Sequence, residues 1–156
     1  LREISNAGHT IGVHSASHDY EKIYASVDAF LEDFNEAYEI VLEATGKAPD
    51  IYRFPGGSVN DYNEKTRDDI ITEMDRRGFT YFDWNVDSND WQGYGWTTLY
   101  TNVLKDAEEF SSPVILFHNT GDRDNTVLVI EDIIKALKNK GYKFGSLSQK
   151  IKPVQF

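Results

Sequence analysis

Residues 26–57 read SVDAFLEDFNEAYEIVLEATGKAPDIYRFPGG. In the first twenty positions the apolar residues Val27, Phe30, Leu31, Phe34, Tyr38, Val41 and Leu42 recur at steps of three and four. That spacing predicts an amphipathic helix over residues 26–45. Ser26 suits the N-cap and Gly46 the C-terminal stop. Five residues later, Ile51-Tyr52-Arg53-Phe54 is short and apolar and ends in Pro55-Gly56-Gly57, as a strand ending in a turn does. A helix feeding a short apolar strand is one unit of an α/β repeat.

The same unit recurs outward in both directions. Upstream, residues 1–7 read as helix stopped by Gly8, and residues 10–13 (TIGV) as a strand. Downstream, a polar helix is predicted over about residues 63–77, stopped by Gly78, then a long aromatic strand over residues 79–86. A polar loop (residues 87–96) leads to a helix over residues 97–110. Residues 113–117 (PVILF) form a continuous apolar run, expected of a strand buried on both faces. The next helix, residues 125–139, places Val127, Ile130, Ile134 and Leu137 on one face. After Gly141, residues 142–147 read as a last strand. Strands alternating with helices predict a parallel sheet with right-handed crossovers. Five strands are too few to close a barrel, and the chain opens in mid-helix. The expected fold is therefore an incomplete, parallel-stranded α/β barrel lacking its first strand or strands, with residues 1–156 forming one domain.

Composition narrows the function. The chain has 156 residues, 40% hydrophobic and 27% charged, which excludes a disordered segment. Sixteen Lys and Arg against 26 Asp and Glu leave a formal charge of −10, which repels phosphate backbones and anionic membrane surfaces. Nucleic acid is not the expected partner. No run of 18 apolar residues exists, so no membrane insertion is expected. There is no Cys, which excludes disulfides, Cys-ligated zinc and a thiol nucleophile.

In parallel α/β folds the chemistry collects at the C-terminal ends of strands. Four predicted strand ends carry unusual clusters: His14-Ser15-Ala16-Ser17-His18, Arg53-Phe54-Pro55-Gly56-Gly57, Asp87-Ser88-Asn89-Asp90-Trp91 and His118-Asn119-Thr120. On a helical turn, His14 and His18 would share one face and could meet one divalent cation, with zinc, cobalt or nickel suited to imidazole. Alone, the pair reads better as two polar loop histidines, and a third ligand has to come from elsewhere. Arg53 offers a rigid fork of donors to orient a carboxylate, or is a surface residue beside a plain turn. Gly56 lacks a Cβ, so a ligand can approach its amide. Asp90 can hold the tautomer of an imidazole and favour its charged form. Trp91 is either a sugar-stacking wall or a core anchor. His118 is either a general acid or a core histidine bonded to a backbone carbonyl. Coincidence of four such clusters at four strand ends favours a site.

Together HSASH, RFPGG, WNVDSNDW, VILFH and the closing GYKFGSL, in this order across essentially the whole chain, resemble the polysaccharide deacetylases, carbohydrate esterase family 4 or NodB-homology domains. The resemblance implies a distorted (β/α) barrel and a divalent-metal hydrolase, zinc foremost, that removes acetyl groups from peptidoglycan, chitin-like or xylan chains. It also implies an extracellular or cell-envelope location and an acetylated polysaccharide as partner; it leaves oligomeric state open. Residue by residue, His14 and His18 resemble the metal ligands, Arg53 the arginine that positions the catalytic base, and Gly56 the donor of the oxyanion amide. Asp90 resembles the acid that tunes the catalytic histidine, Trp91 the groove wall, Leu116 the residue lining the acetyl pocket, and His118 the general acid. The family's first motif, an Asp-Asp pair after the first strand that supplies the base and the third metal ligand, has no counterpart. That gap coincides with the missing strand. The rival expectation is a catalytically inactive glycan-binding module of the same fold.

Overall fold

The computed structural model describes residues 1–121 and 124–156. The chain divides into two compact units, Leu1–Asp83 with Ser146–Phe156, and Trp84–Gly145. Both are mixed α/β, and every strand pairing among the described residues is parallel.

The first unit holds α1 (Arg2–Asn6), α2 (Tyr20–Ile23), α3 (Val27–Thr45), β1 (Ile51–Tyr52), α4 (Arg67–Arg76) and β2 (Thr80–Tyr81). Ser26 caps α3 by accepting the Ala29 amide at 3.1 Å, and Gly46 ends it in the left-handed conformation at φ 68°. β1 pairs with β2, and Val13 flanks β1 as a parallel bridge to Tyr52. The strand expected over residues 10–13 is reduced to that single bridge. It lies close: a Cβ on Gly12 would sit 2.9 Å from the Ile51 carbonyl oxygen. Phe30, Phe34 and Ala37 of α3, with Ile70 and Met74 of α4, bury against Tyr52, Phe54 and Tyr81. Phe34 meets Phe79 edge-on at 4.9 Å, and Phe54 meets Tyr81 edge-on at 5.3 Å, the arrangement that aromatic quadrupoles favour.

The second unit holds β3 (Val86–Asp87), α5 (Trp96–Ala107), β4 (Ile115–Leu116) and α6 (Asp124–Asn139). β3 pairs with β4, and Val86 packs with Leu99, Val103 and Ala107 of α5 and Val129, Ile133 and Leu137 of α6.

Four further expectations need correction. The long aromatic strand over residues 79–86 is broken into β2 and β3, which belong to different sheets. Asp83 breaks it: its amide donates to the Val154 carbonyl at 2.8 Å, leaving the ladder that Phe82 still joins through Tyr52. The apolar run at residues 113–117 is not buried on both faces. Leu116 is buried, but its neighbours are only partly so, because β4 pairs within a two-stranded sheet. Residues 142–147 form no strand. Gly141, at φ 94°, closes α6 with the Tyr142 amide on the Leu137 carbonyl, and the Tyr142 hydroxyl donates to the carbonyls of Ala107 and Phe110 at the end of α5. Finally, α6 buries Thr126, Val129, Ile133 and Leu137 while Val127 is 72% exposed. The helix is rotated from the expected face because Thr126 is drawn inward by Asp90, to which its hydroxyl donates at 2.8 Å.

Candidate active site

In the first unit, the Val13 amide donates to the Ile51 carbonyl and the Arg53 amide donates to the Val13 carbonyl, both at 3.0 Å. This aligns the Arg53 carbonyl with His14, whose Nδ1 lies 2.8 Å from it. A carbonyl only accepts, so Nδ1 carries the proton and the lone pair is on Nε2. That is the tautomer a metal-ligating histidine needs, oriented by the partner of its other nitrogen. His18 lies with its ring centroid 5.2 Å from that of His14. The pair is not on a helical turn, as the four-residue spacing suggested. Residues 14–19 are not helical, with a bend at residues 16–17, and His18 is left-handed at φ 54°, uncommon for a residue with a Cβ.

The bend is tied to a buried carboxylate on α3. Asp33 accepts the Ser15 hydroxyl at 2.5 Å, the Ala16 amide at 3.0 Å and the Ser17 amide at 2.9 Å. Burial pushes its pKa up, but the hydrogen bonds from Ser15, Ser17 and Ala16 outweigh that and hold the carboxyl below the usual aspartate range. Ser15 in turn accepts the His18 amide at 2.8 Å.

The glycine loop is anchored as well. Gly56 and Gly57 are both left-handed, at φ 77° and 84°, and a Cβ on Gly56 would lie 3.3 Å from the Tyr20 hydroxyl. The Tyr24 hydroxyl donates to the Pro55 carbonyl at 2.7 Å. Ser58 donates its amide and hydroxyl to buried Asp83, which also accepts the Phe156 amide at 2.9 Å.

In the second unit, Asp90 is buried at the start of a 3-10 turn over Asp90–Gln92. Its Oδ1 lies 2.7 Å from His118 Nδ1, and its Oδ2 accepts the His118 amide and the Thr126 hydroxyl, both at 2.8 Å. A carboxylate held below its usual pKa only accepts, so His118 carries a proton on Nδ1 and keeps Nε2 for chemistry. Burial pushes the Asp90 carboxyl up; the backbone and side-chain hydrogen bonds from His118 and that from Thr126 more than reverse it. His118 is thus bonded to a carboxylate and not to a backbone carbonyl. Trp91 is 53% exposed, which removes the core-anchor reading. Leu116 is buried in β4, paired in register with Asp87.

The predicted residues therefore fall into two sets, His14, His18, Arg53 and Gly56 in the first unit and Asp90, Trp91, Leu116 and His118 in the second. His14 and His18 fit as two imidazole donors to a divalent cation, while among the described residues no group of three or more His, Asp or Glu gathers to complete a donor set. Sequence reasoning missed Asp33, Asp83 and Thr126. Asp33 left a signal: it stands between Phe30, Phe34 and Ala37 on the buried stripe of an amphipathic helix. Sequence reasoning also missed that Arg53 acts on His14 through its main-chain carbonyl.

The pattern of one family, polysaccharide deacetylase, matches residues 1–80, half of the chain. The chain belongs to the polysaccharide deacetylase family. This deacetylase-family chain is 31% identical over 143 residues to a peptidoglycan-N-acetylglucosamine deacetylase of Bacillus cereus, a match covering 88% of this chain and 50% of that protein. Its fold superposes with a TM-score of 0.93 on the catalytic domain of peptidoglycan N-acetylglucosamine deacetylase from Eubacterium rectale, at 31% identity over 99% of this chain and 72% of that one. A family pseudoenzyme from Bacillus anthracis, 21% identical, shares the fold with a TM-score of 0.79 over 99% of this chain and 50% of that one. The chain spans about half the length of the curated relatives it matches. Among the described residues no helix is long and apolar enough to cross a membrane.

Proposed function

We propose that this chain carries the chemistry of a metal-dependent deacetylase of N-acetylated cell-wall polysaccharide, peptidoglycan or a chitin-like glycan, acting in the cell envelope or outside the cell. The observation that carries this reading is the 2.7 Å bond from His118 Nδ1 to the buried carboxylate of Asp90. Asp90 fixes the orientation of the ring through Nδ1, so that His118 Nε2 faces the site, where its proton would pass to the departing amine as the carbon–nitrogen bond of the acetamide breaks. Water supplies the new oxygen, and acetate and a free amino sugar result. The Gly56 amide is assigned to the developing oxyanion, Trp91 to a sugar face, Leu116 to the acetyl methyl, and the Arg53 guanidinium to orienting the base. His14 and His18 would hold the cation, zinc foremost with cobalt or nickel as alternatives, because neutral imidazole suits these metals. Bound there, the cation supplies Lewis acidity toward a carbonyl oxygen. The finer architecture, a distorted and incomplete (β/α) barrel, belongs to the same proposal; the parallel pairing in each unit and the likeness to the Eubacterium rectale domain support it.

A second reading is a glycan-binding module without turnover. It is favoured by the lack, among the described residues, of a third metal-ligating side chain beside the two histidines. Acetate release from an acetylated chito-oligosaccharide separates the two. The protein carrying this chain should release acetate, and His118→Ala in it should slow release roughly 10²–10⁴-fold. A protein that binds the oligosaccharide but releases no acetate would establish the second reading.

A further inference from the structure

The three residues between His14 and His18 all bond to one side chain. Ser15 donates its hydroxyl, and Ala16 and Ser17 their amides, to the two oxygens of Asp33, at 2.5, 3.0 and 2.9 Å. Ser15 passes the constraint on by accepting the amide of His18, the residue held in the left-handed conformation. Asp33 itself is only 3% exposed, and its position is set by α3, whose Phe30, Phe34 and Ala37 are locked in the core of the first unit. The carboxylate is thus a fixed post to which a bend with a left-handed histidine is tied. The far end of that bend is fixed by the Arg53 carbonyl on His14.

We infer that Asp33 is the positioning residue of the His14–His18 pair: its buried carboxylate holds the bend in the one shape that brings both imidazoles within reach of a single divalent cation. The inference deepens the proposed function and rests on its reading of the two histidines as cation ligands. The chemistry of the post is specific. Three donors converge on two oxygens, and only a carboxylate offers acceptors on both. Asparagine has the same shape but turns an NH2 group toward either the Ser17 amide or the Ser15 and Ala16 donors. A hydroxyl can switch from donor to acceptor, but the Ala16 and Ser17 amides, one on each Asp33 oxygen, can only donate, so asparagine always leaves one of them facing an NH2 group.

The test is a zinc titration of the 156-residue chain, followed by the imidazole NMR shifts of His14 and His18, with amide hydrogen exchange on the metal-free protein. Asp33→Asn should weaken zinc binding about 10–100-fold, as loss of an outer-shell partner does. It should also speed exchange at the Ala16, Ser17 and His18 amides, with the α3 and α4 amides still protected. Ser15→Ala, which leaves both Asp33 backbone contacts in place, should weaken zinc several-fold and speed exchange at His18; it serves if Asp33→Asn does not fold. Zinc binding by Asp33→Asn and Ser15→Ala equal to the unsubstituted chain overturns the positioning role while leaving the cation reading intact. A chain in which zinc moves neither imidazole overturns the cation reading itself, and the inference with it.

Discussion

His118 is bound to Asp90 twice, through its ring Nδ1 at 2.7 Å and through its own amide at 2.8 Å, one contact to each carboxylate oxygen. The backbone contact fixes where the histidine starts and the ring contact fixes where it points. A histidine held at one atom can swing; held at both, it presents Nε2 in one direction. Thr126 completes the set by donating to the same oxygen as the backbone amide, so the first turn of α6 is part of the support.

Asp90→Asn should therefore cost far more activity than fold. The amide can accept on one side only, so either the ring or the pair formed by the His118 amide and Thr126 hydroxyl faces an NH2 group. Acetate release by the active protein should fall roughly 10²–10⁴-fold. Stability should fall by about 1–3 kcal/mol, the cost of a buried polar group left unsatisfied. Kinetics of acetate release and urea melts measure the two effects; unchanged turnover in the substituted protein would remove Asp90 from the chemistry.

Acid should weaken the fold through the same carboxylates. Asp33 and Asp90 are both held below the ordinary aspartate value in the folded protein. As pH falls, the unfolded chain takes up their protons first, so unfolding is favoured on acidification. Their contribution is fully present above the unfolded value of about 3.9 and is lost as pH falls through the lower folded values. Urea melts taken stepwise down through that range should show a midpoint that declines less steeply in Asp90→Asn than in the unsubstituted chain. An identical acid slope in both would refute the linkage.

Gly12→Ala should damage the first unit through its backbone. The added methyl would lie 2.9 Å from the Ile51 carbonyl oxygen and 3.0 Å from its Cγ1, and the oxygen cannot retreat without opening the 3.0 Å bond from the Val13 amide. Overpacking of this kind costs about 1–3 kcal/mol. For a chain of this size each kcal/mol lowers the thermal midpoint by roughly 2–4 °C. Calorimetry reads the shift, and a midpoint within a degree of the unsubstituted protein would mean that the strand yields more readily than its contacts imply.

Much of the fold was legible because local physics wrote it twice. The α3 helix carried both an apolar stripe and its two end signals, Ser26 and Gly46, and each does in the structure what its residue type does in isolation. The histidine pair, the glycine turn and the Asp90–His118 partners were visible as residue types at strand ends. Two of the misreadings share one cause. The aromatic strand ends where Asp83 finds Val154, and α6 turns so that Thr126 can reach Asp90. Both are decided by partners far along the chain, which no periodicity records.

The order of residues alone determined the helices with their caps, the parallel α/β class and the identity of the reactive side chains, since these follow from backbone propensity, apolar spacing and functional-group chemistry. Only the tertiary structure decided how those side chains are held. It put Asp33 under the His14–His18 bend, the Arg53 carbonyl on His14, and Asp83 between Ser58 and Phe156. A buried carboxylate must be satisfied by whatever donors the folded chain delivers, and which donors arrive is settled by packing between segments tens of residues apart.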